Sequence, residues 1–381
     1  MSHMTNAARQ SALADVAIRI RNEAAQAEAN GHLSDAVVEG MKAAGIFRMF
    51  VHREYGGLEL DLPEIVETIS TVAKIDASAG WVAMIGSSSA LALTMLPRHM
   101  FEQIYQGNPD AILASSVQLR GAVEQRGGAW HVSGQWPFAS GCLHADWLAG
   151  FCAVAPSAPD APPQIGIAIL PASRWKIVDT WHVPGLKATA SDDIALDSPV
   201  VLDESFFFFG QEPWAKGPLY DAGLFPSAAL LHGAVSLGIA EGALDDLLEI
   251  ARAGRKQDQA AALLRETESF HVELGQVQAD IRAARSTLTG QTARQWERAL
   301  AGRVGSADVL IEAEQAAIWT VRTCVGAVDR CFAMGGSAAL YETSTLQRRM
   351  RDIHVAAQHS KMQPRHYDSA GKWLLDQKTA A

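Results

Sequence analysis

Only four cysteines occur in this chain, and their placement excludes more than it suggests. Cys142, Cys152, Cys324 and Cys331 show no CxxC spacing and no disulfide framework, so they read as free thiols of a reducing, cytoplasmic setting. The histidines and cysteines are scattered without zinc spacing. No Lys/Arg-rich run stands out and the formal net charge is a moderate -10, which argues against nucleic acid as a partner. No apolar run approaches the ~20 residues of a membrane span. The start lacks a basic-then-apolar signal pattern, and Met1-Ser-His-Met4 reads as an expression scar. A Ser-nucleophile elbow is missing, no G-x-G-x-x-G follows a strand, and Gly335-Gly336 alone makes no dinucleotide loop. Internal repeats and low-complexity tracts are also absent.

What is present is a globular chain of 381 residues, enough for two or three domains. Residues 5–110 are Ala-rich with helical period. A helix over 7–29 precedes Ser34 as N-cap for 35–44, and Gly45 stops that helix. Pro63 opens another helix at its first position, and the nearly uncharged stretch 77–96 reads as a buried helix closed by Pro97. From 111 to 212 the pattern turns to short β-type runs at 111–117, 129–133, 145–154, 164–170, 175–179 and 194–202, parted by turns such as Arg126-Gly-Gly128 and Pro159-Asp-Ala-Pro-Pro163. That spacing predicts a small barrel or sandwich. Over 213–381 helices return, at 227–253, 307–333 and 343–375. In a fourth, Phe270, Leu274, Val277, Ile281, Ala284 and Leu288 recur at spacings of four and three, the seam of a helix bundle. The expected fold is therefore mainly α with a central β domain.

One segment invites a ligand. Gly134-Gln-Trp136-Pro-Phe138-Ala-Ser140-Gly141 joins two predicted strands with large rings on a proline-stiffened connection. Either the rings fold back into the core, or they present a flat surface to a stacked heterocycle while Ser140 and the backbone meet its edge.

Several motifs in chain order resemble the acyl-CoA dehydrogenase superfamily. Phe50-Val-His-Arg-Glu-Tyr-Gly-Gly-Leu58 is similar to its P-x-E-Y-G-G-L turn, and Asp76-Ala-Ser-Ala-Gly-Trp81 to the start of its next buried helix. Trp181-His-Val-Pro-Gly-Leu-Lys-Ala-Thr-Ala-Ser191, followed by 200–204, resembles the end of its β domain. Ala333-Met-Gly-Gly336 with Tyr341, then Gln347-Arg-Arg-Met-Arg-Asp-Ile-His354 and Gln358-His359, resembles its C-terminal flavin-side elements. The resemblance implies an N-terminal helical domain, a small β-barrel or sandwich and a C-terminal four-helix bundle that also builds a homotetramer.

Two activities share that fold: FAD-dependent acyl-CoA dehydrogenation, and oxygenation by group D two-component monooxygenases. The Gly134–Gly141 segment resembles the monooxygenase pattern G-x-W-P-F-x-S-G. In place of the dehydrogenase T-E-P-x-x-G-S-D stands Ala114-Ser-Ser-Val-Gln118, and the diphosphate-anchoring R-x-x-F-G is replaced by Ala251-Arg-Ala-Gly-Arg-Lys256. The resemblance thus implies a monooxygenase that takes reduced flavin, FADH2 or FMNH2, from a separate NAD(P)H:flavin reductase by diffusion. With O2 it forms a C4a-hydroperoxyflavin and oxygenates a small aromatic or heteroaromatic substrate.

Site residues follow from the same resemblance. Trp136 and Phe138 wall the flavin, and Ser140 holds the N5 proton. Ser115 or Ser116 meets the pyrimidine edge; strand alternation permits only one of them. Gly335 and Gly336 flank the cofactor. His359 is the acid–base group, with His354 as its rival; on one helix the two stand 140° apart and cannot share a pocket face. Trp81, Ser87, Ser88 and Ser89 line the substrate. Three small hydroxyls where phenol hydroxylases of this group carry a histidine favour a neutral heteroaromatic such as an indole, or an amine or sulfur substrate. Glu342, in Tyr341-Glu342-Thr343, resembles the dehydrogenase base and keeps dehydrogenation as the alternative; its bland role is an acid beside an N-cap at Thr343. A non-catalytic relative of the fold is the third reading.

Overall fold

The computed structural model describes residues 6–155, 164–202, 205–254, 262–303 and 307–377. The expected scar at 1–4, the turn at 159–163, Glu204 and the Arg255-Lys256 pair lie outside the described residues. The chain opens with helices α1 (Asn6–Asn30), α2 (Asp35–Ala43), α3 (Leu62–Ile75), α4 (Ala77–Leu93) and α5 (Arg98–Tyr105). Seven strands follow: β1 (Leu113–Arg126), β2 (Ala129–Trp136), β3 (Trp147–Val154), β4 (Gln164–Pro171), β5 (Lys176–Val178), β6 (Asp193–Leu202) and β7 (Phe206–Phe208). The remainder is helical, with α6 (Pro218–Asp221), α7 (Leu224–Arg252), α8 (Glu268–Leu300), α9 (Ala307–Gly335), α10 (Thr345–Ala356) and α11 (Tyr367–Gln377).

Local chemistry sets the helix starts. Ser34 Oγ accepts the Val37 N–H at 3.2 Å, as its N-cap assignment requires. Asp61 caps α3 through Glu64 N at 2.9 Å, with Pro63 in the first turn. Asp76 Oδ1 takes the Ala79 N–H at 2.9 Å and so fixes the first turn of α4, where Trp81 sits.

Two compact units divide the chain, and the division falls inside α4 between Trp81 and Val82. The first comprises Met1–Leu60, Val82–Val183 and Lys187–Tyr220. Its sheet runs β5-β6-β2-β1-β3-β4-β7. Strand β1 serves two partners: its start runs parallel to β3, its end antiparallel to β2, and the register breaks between Ser116 and Gly121. Side chains from both sides of β1, among them Trp136, Leu148, Cys152, Leu170, Ile194 and Leu196, share one core. Gly150 lies against the Trp136 ring so closely that a Cβ there would stand 2.7 Å from Cε2. The short β7 was not expected.

The second unit holds Asp61–Trp81, Pro184–Leu186 and Asp221–Ala381. There α7 packs against α3, α9 and α10, and α8 against α9. Phe270, Val277, Ile281, Ala284 and Leu288 of the expected seam are buried along α8. Helix α7 is long and apolar enough to cross a membrane by length and composition alone, and 83% of its most apolar window is buried in the protein. One correction concerns 343–375. Instead of one helix, the chain forms α10, two 3-10 turns (Ser360–Met362 and Pro364–His366) and α11. Pro364 cannot continue a helix laid down before it. The N-cap position of α10 is Ser344, not Thr343.

Candidate functional site

In the first unit the Pro137–Gly141 connection is held at almost every residue. Ser116 Oγ donates to Pro137 O at 2.5 Å, Ala139 N to Asp192 O at 3.1 Å, and Gly141 N to Thr189 O at 2.7 Å. Phe138 (φ 66°) and Ala190 (φ 44°) both occupy the left-handed region, each at a cost of roughly 1–2 kcal/mol for a residue with a side chain. Such strain persists only where the surroundings impose it, and it concentrates at ligand sites. Its result is a buried chain of hydroxyls: Ser140 Oγ stands 2.8 Å from Ser191 Oγ, which stands 2.7 Å from Thr189 Oγ1. Beside it Phe138 is 59% exposed, with Trp181 edge-on at 6.2 Å. Asp192 Oδ1 accepts the N–H groups of Thr180 and Trp181, both at 2.9 Å, and thereby sets that indole.

Trp136 corrects the sequence expectation. It is the last residue of β2, fully buried, with Nε1–H donating to Phe151 O at 2.6 Å and its ring edge-on to Trp175 at 5.4 Å. Of the two rings, the core claims Trp136 and only Phe138 faces out. Ser116 is spent pinning the loop, and Ser115, on the opposite face of β1, is half-buried. The three serines of α4 are satisfied by backbone oxygens: Ser87 donates to Met84 O at 3.3 Å, Ser88 to Ile85 O at 3.4 Å, and Ser89 to Leu113 O of β1 at 2.8 Å.

The second unit gathers a different cluster. His359 lies beyond the end of α10, as N-cap of the Ser360–Met362 turn, so the 140° argument that assumed one helix does not apply. Its ring stacks on His232 of α7 with centroids 4.0 Å apart and planes tilted by 30°. Trp81 approaches both imidazoles, at 5.2 Å from His232 and 5.8 Å from His359. Burial pushes His359 down to about 4, and the Lys361 charge adds to that effect. His232 is pushed well below its ordinary value by burial, then by His359 and Lys361. Both rings are therefore neutral at pH 7. Lys361 N donates to His359 Nδ1 at 3.4 Å, which leaves the neutral ring's proton on Nε2. His232 Nδ1 is buried without a hydrogen-bond partner, at a desolvation cost of about 1–3 kcal/mol that a leucine would avoid.

The remaining candidates stand elsewhere. His354 is half-exposed and paired with Asp329 at 2.8 Å. Glu342 is exposed on the turn before α10, and its backbone oxygen accepts from Gln347 Nε2 at 3.2 Å. Gly335 ends α9, where a Cβ would stand 2.9 Å from Leu346 Cδ2, and Gly336 makes the turn with φ 51°. In the same unit Leu186 N donates to Asp352 Oδ1 at 2.6 Å, Arg351 Nη1 donates to Pro184 O, and Gly185 leaves no room for a Cβ against the Arg351 carbonyl. Sequence reasoning missed His232, Thr189, Ser191, Trp181 and Lys361. Thr189, Ser191 and Trp181 lay inside a segment already noted as family-like, and His232 is the single titratable residue in 224–240.

Exposed Phe138 and half-buried Trp181 beside a serine hydroxyl suit the face and polar edge of an isoalloxazine, and the fold is that of flavoproteins of acyl-CoA dehydrogenase type. Family models agree: "Acyl-CoA dehydrogenase, N-terminal domain" matches residues 3–102 and "Acyl-CoA dehydrogenase, C-terminal domain" matches 230–364. The chain is 30% identical to indole-3-acetate monooxygenase of Pseudomonas putida, over 93% of this chain and 90% of that one. It is 27% identical to the oxygenase component of the FADH2-dependent resorcinol hydroxylase of a Rhizobium species, over 95% and 91%. The structure of XiaF from a Streptomyces species, in complex with FADH2 and glycerol, superposes with a TM-score of 0.87 at 22% identity, covering 97% and 96%. The chain belongs to the acyl-CoA dehydrogenase family. Within it, this is a flavin-dependent monooxygenase of the oxygenase-component type, using reduced flavin and O2.

Proposed function

We propose that this oxygenase component hydroxylates a small aromatic or heteroaromatic substrate with an indole-type ring, supplied with reduced flavin by an NAD(P)H:flavin reductase and working as a homotetramer. The observation that carries the substrate side is the stacked, neutral His232–His359 pair beside Trp81: flat surfaces, little water, and a proton available at His359 Nε2. When bound, reduced flavin supplies two electrons with which O2 is split, one oxygen atom entering the substrate C–H as C–OH and the other leaving as water. Phe138 and Trp181 would hold the flavin face, and Ser140, oriented by Ser191, would hydrogen-bond its N5–H. His359 would hold or donate a proton at Nε2 for a substrate bound at its own cluster, and its buried setting keeps bulk water from that proton.

Glu342 weighs against the dehydrogenase alternative. A base that abstracts an α-proton needs a shielded position, and this carboxylate is exposed. The relative from Pseudomonas putida is named for indole-3-acetate, which favours an indole-type ring for this chain. The test is anaerobic loading with reduced FAD or FMN, then O2 and a panel of indoles, with hydroxylated product and H2O2 both quantified. His359→Ala is expected to retain flavin while product falls ~10²-fold or more. Unchanged yield in that variant would remove His359 from the role.

A further inference from the structure

We propose that Lys361 selects aromatic substrates bearing an anionic side arm, a carboxylate above all, and seats that arm beside the Trp81–His232–His359 cluster. The inference deepens the proposed function and rests on its placing the substrate at that cluster. Lys361 is tied to the cluster through its own backbone, since its N–H donates to His359 Nδ1. Its ammonium lies 5.1 Å from the centre of the Phe225 ring, and among the described residues no carboxylate stands within ion-pair reach of it.

Several other cations of this unit do have carboxylate partners. Arg285 has Glu241 and Glu67, Arg298 has Glu312, and Arg349 has Asp246. The buried Glu314 lies instead toward His366, at 3.9 Å. A half-buried cation over an aromatic face, next to two uncharged imidazoles, is a field of one sign with no internal counter-charge. The unpartnered Nδ1 of His232 shows that the cluster's polar groups are also not all satisfied from within. A ligand pairing a flat ring with a carboxylate answers the unpaired charge: the ring lies along Trp81 and the imidazoles, and the carboxylate meets the ammonium through a charge-assisted hydrogen bond.

Anaerobic equilibrium dialysis of the full chain with reduced FAD tests this, using indole-3-acetate and its uncharged analogue 3-methylindole as probes. Wild-type protein is expected to hold the acid about tenfold or more tighter than the neutral analogue, with the ratio shrinking as salt rises from about 50 to about 500 mM. In Lys361→Met the ratio should fall to about one, and in Lys361→Arg it should stay within about threefold of wild type. Lys361→Gln serves in place of the methionine variant if that protein fails to fold. Absence of any preference in wild type, or a preference that survives Lys361→Met, overturns the proposal. Flavin retained in the same chamber reports separately on the flavin assignment, so the two can fail independently.

Discussion

Replacing Ser140 by alanine removes one member of a three-hydroxyl chain, and the structure sets what losing its contact to Ser191 should cost. Thr189, Ser191 and Ser140 are 0%, 3% and 8% exposed. The variant loses the 2.8 Å contact to Ser191, but Ser191 keeps Thr189 at 2.7 Å, so no buried hydroxyl is stranded. One neutral hydrogen bond of this kind is worth about 1 kcal/mol, and the fold should tolerate its loss. The functional cost is expected to be far larger. If Ser140 holds the flavin N5 proton, product per reduced flavin should fall tenfold or more, with H2O2 rising to match. Ser191→Ala, which removes both contacts of the middle hydroxyl, should cost about 2 kcal/mol and mimic the uncoupling. Denaturant unfolding and the product-to-peroxide ratio give the two readouts. A Ser140→Ala protein that unfolds about 1 kcal/mol earlier yet couples like wild type would show that the chain merely ties the loop down.

Three further outcomes follow from the geometry. His354→Ala breaks a half-exposed pair with Asp329 and should cost under about 1 kcal/mol with turnover within about twofold, checked by unfolding and steady-state rates. Gly150→Ala drives a Cβ to 2.7 Å from the Trp136 ring and should destabilise by about 1–3 kcal/mol, read by unfolding and by the shifted Trp fluorescence. His359 and His144 are both pushed down to about 4 by burial. Their neutral forms are favoured by folding, so stability should be full above the unfolded histidine value near 6.5 and fall as pH drops from there toward 4. Each should contribute roughly 2 kcal/mol across that window; unfolding free energies at pH 7.5 and 5 that agree would refute the burial argument, and His359→Gln should remove part of the slope.

The sequence made the order of helical, β and helical regions legible because periodicity and turn residues are local signals. Six of the seven strands announced themselves as short β-type runs between Gly- and Pro-bearing turns. β7 did not, since Phe206, Phe207 and Phe208 show no alternation. The break after α10 has one local signal, Pro364, but the apolar and basic pattern on either side reads as one helix. At the site, the loop's existence was legible and its inward-facing ring was not. Whether Trp136 or Phe138 faces out depends on where β2 ends and on a glycine, Gly150, that lies on another strand. His232 escaped for a related reason. A single histidine in an apolar helix reads as core, and its stacking on His359 joins residues 127 positions apart, beyond the reach of any local pattern.

The central claim is monooxygenation with electrons from a reduced flavin. The most direct measurement supplies 18O2 to the protein loaded anaerobically with reduced flavin and an indole-type substrate, and follows the label by mass spectrometry. One labelled oxygen atom in the hydroxylated product for each productively oxidised flavin is the expected result. Unlabelled substrate recovered intact, with all the flavin-derived electrons found in H2O2 across the substrate panel, would contradict it; so would reduction of tightly bound flavin by an acyl-CoA.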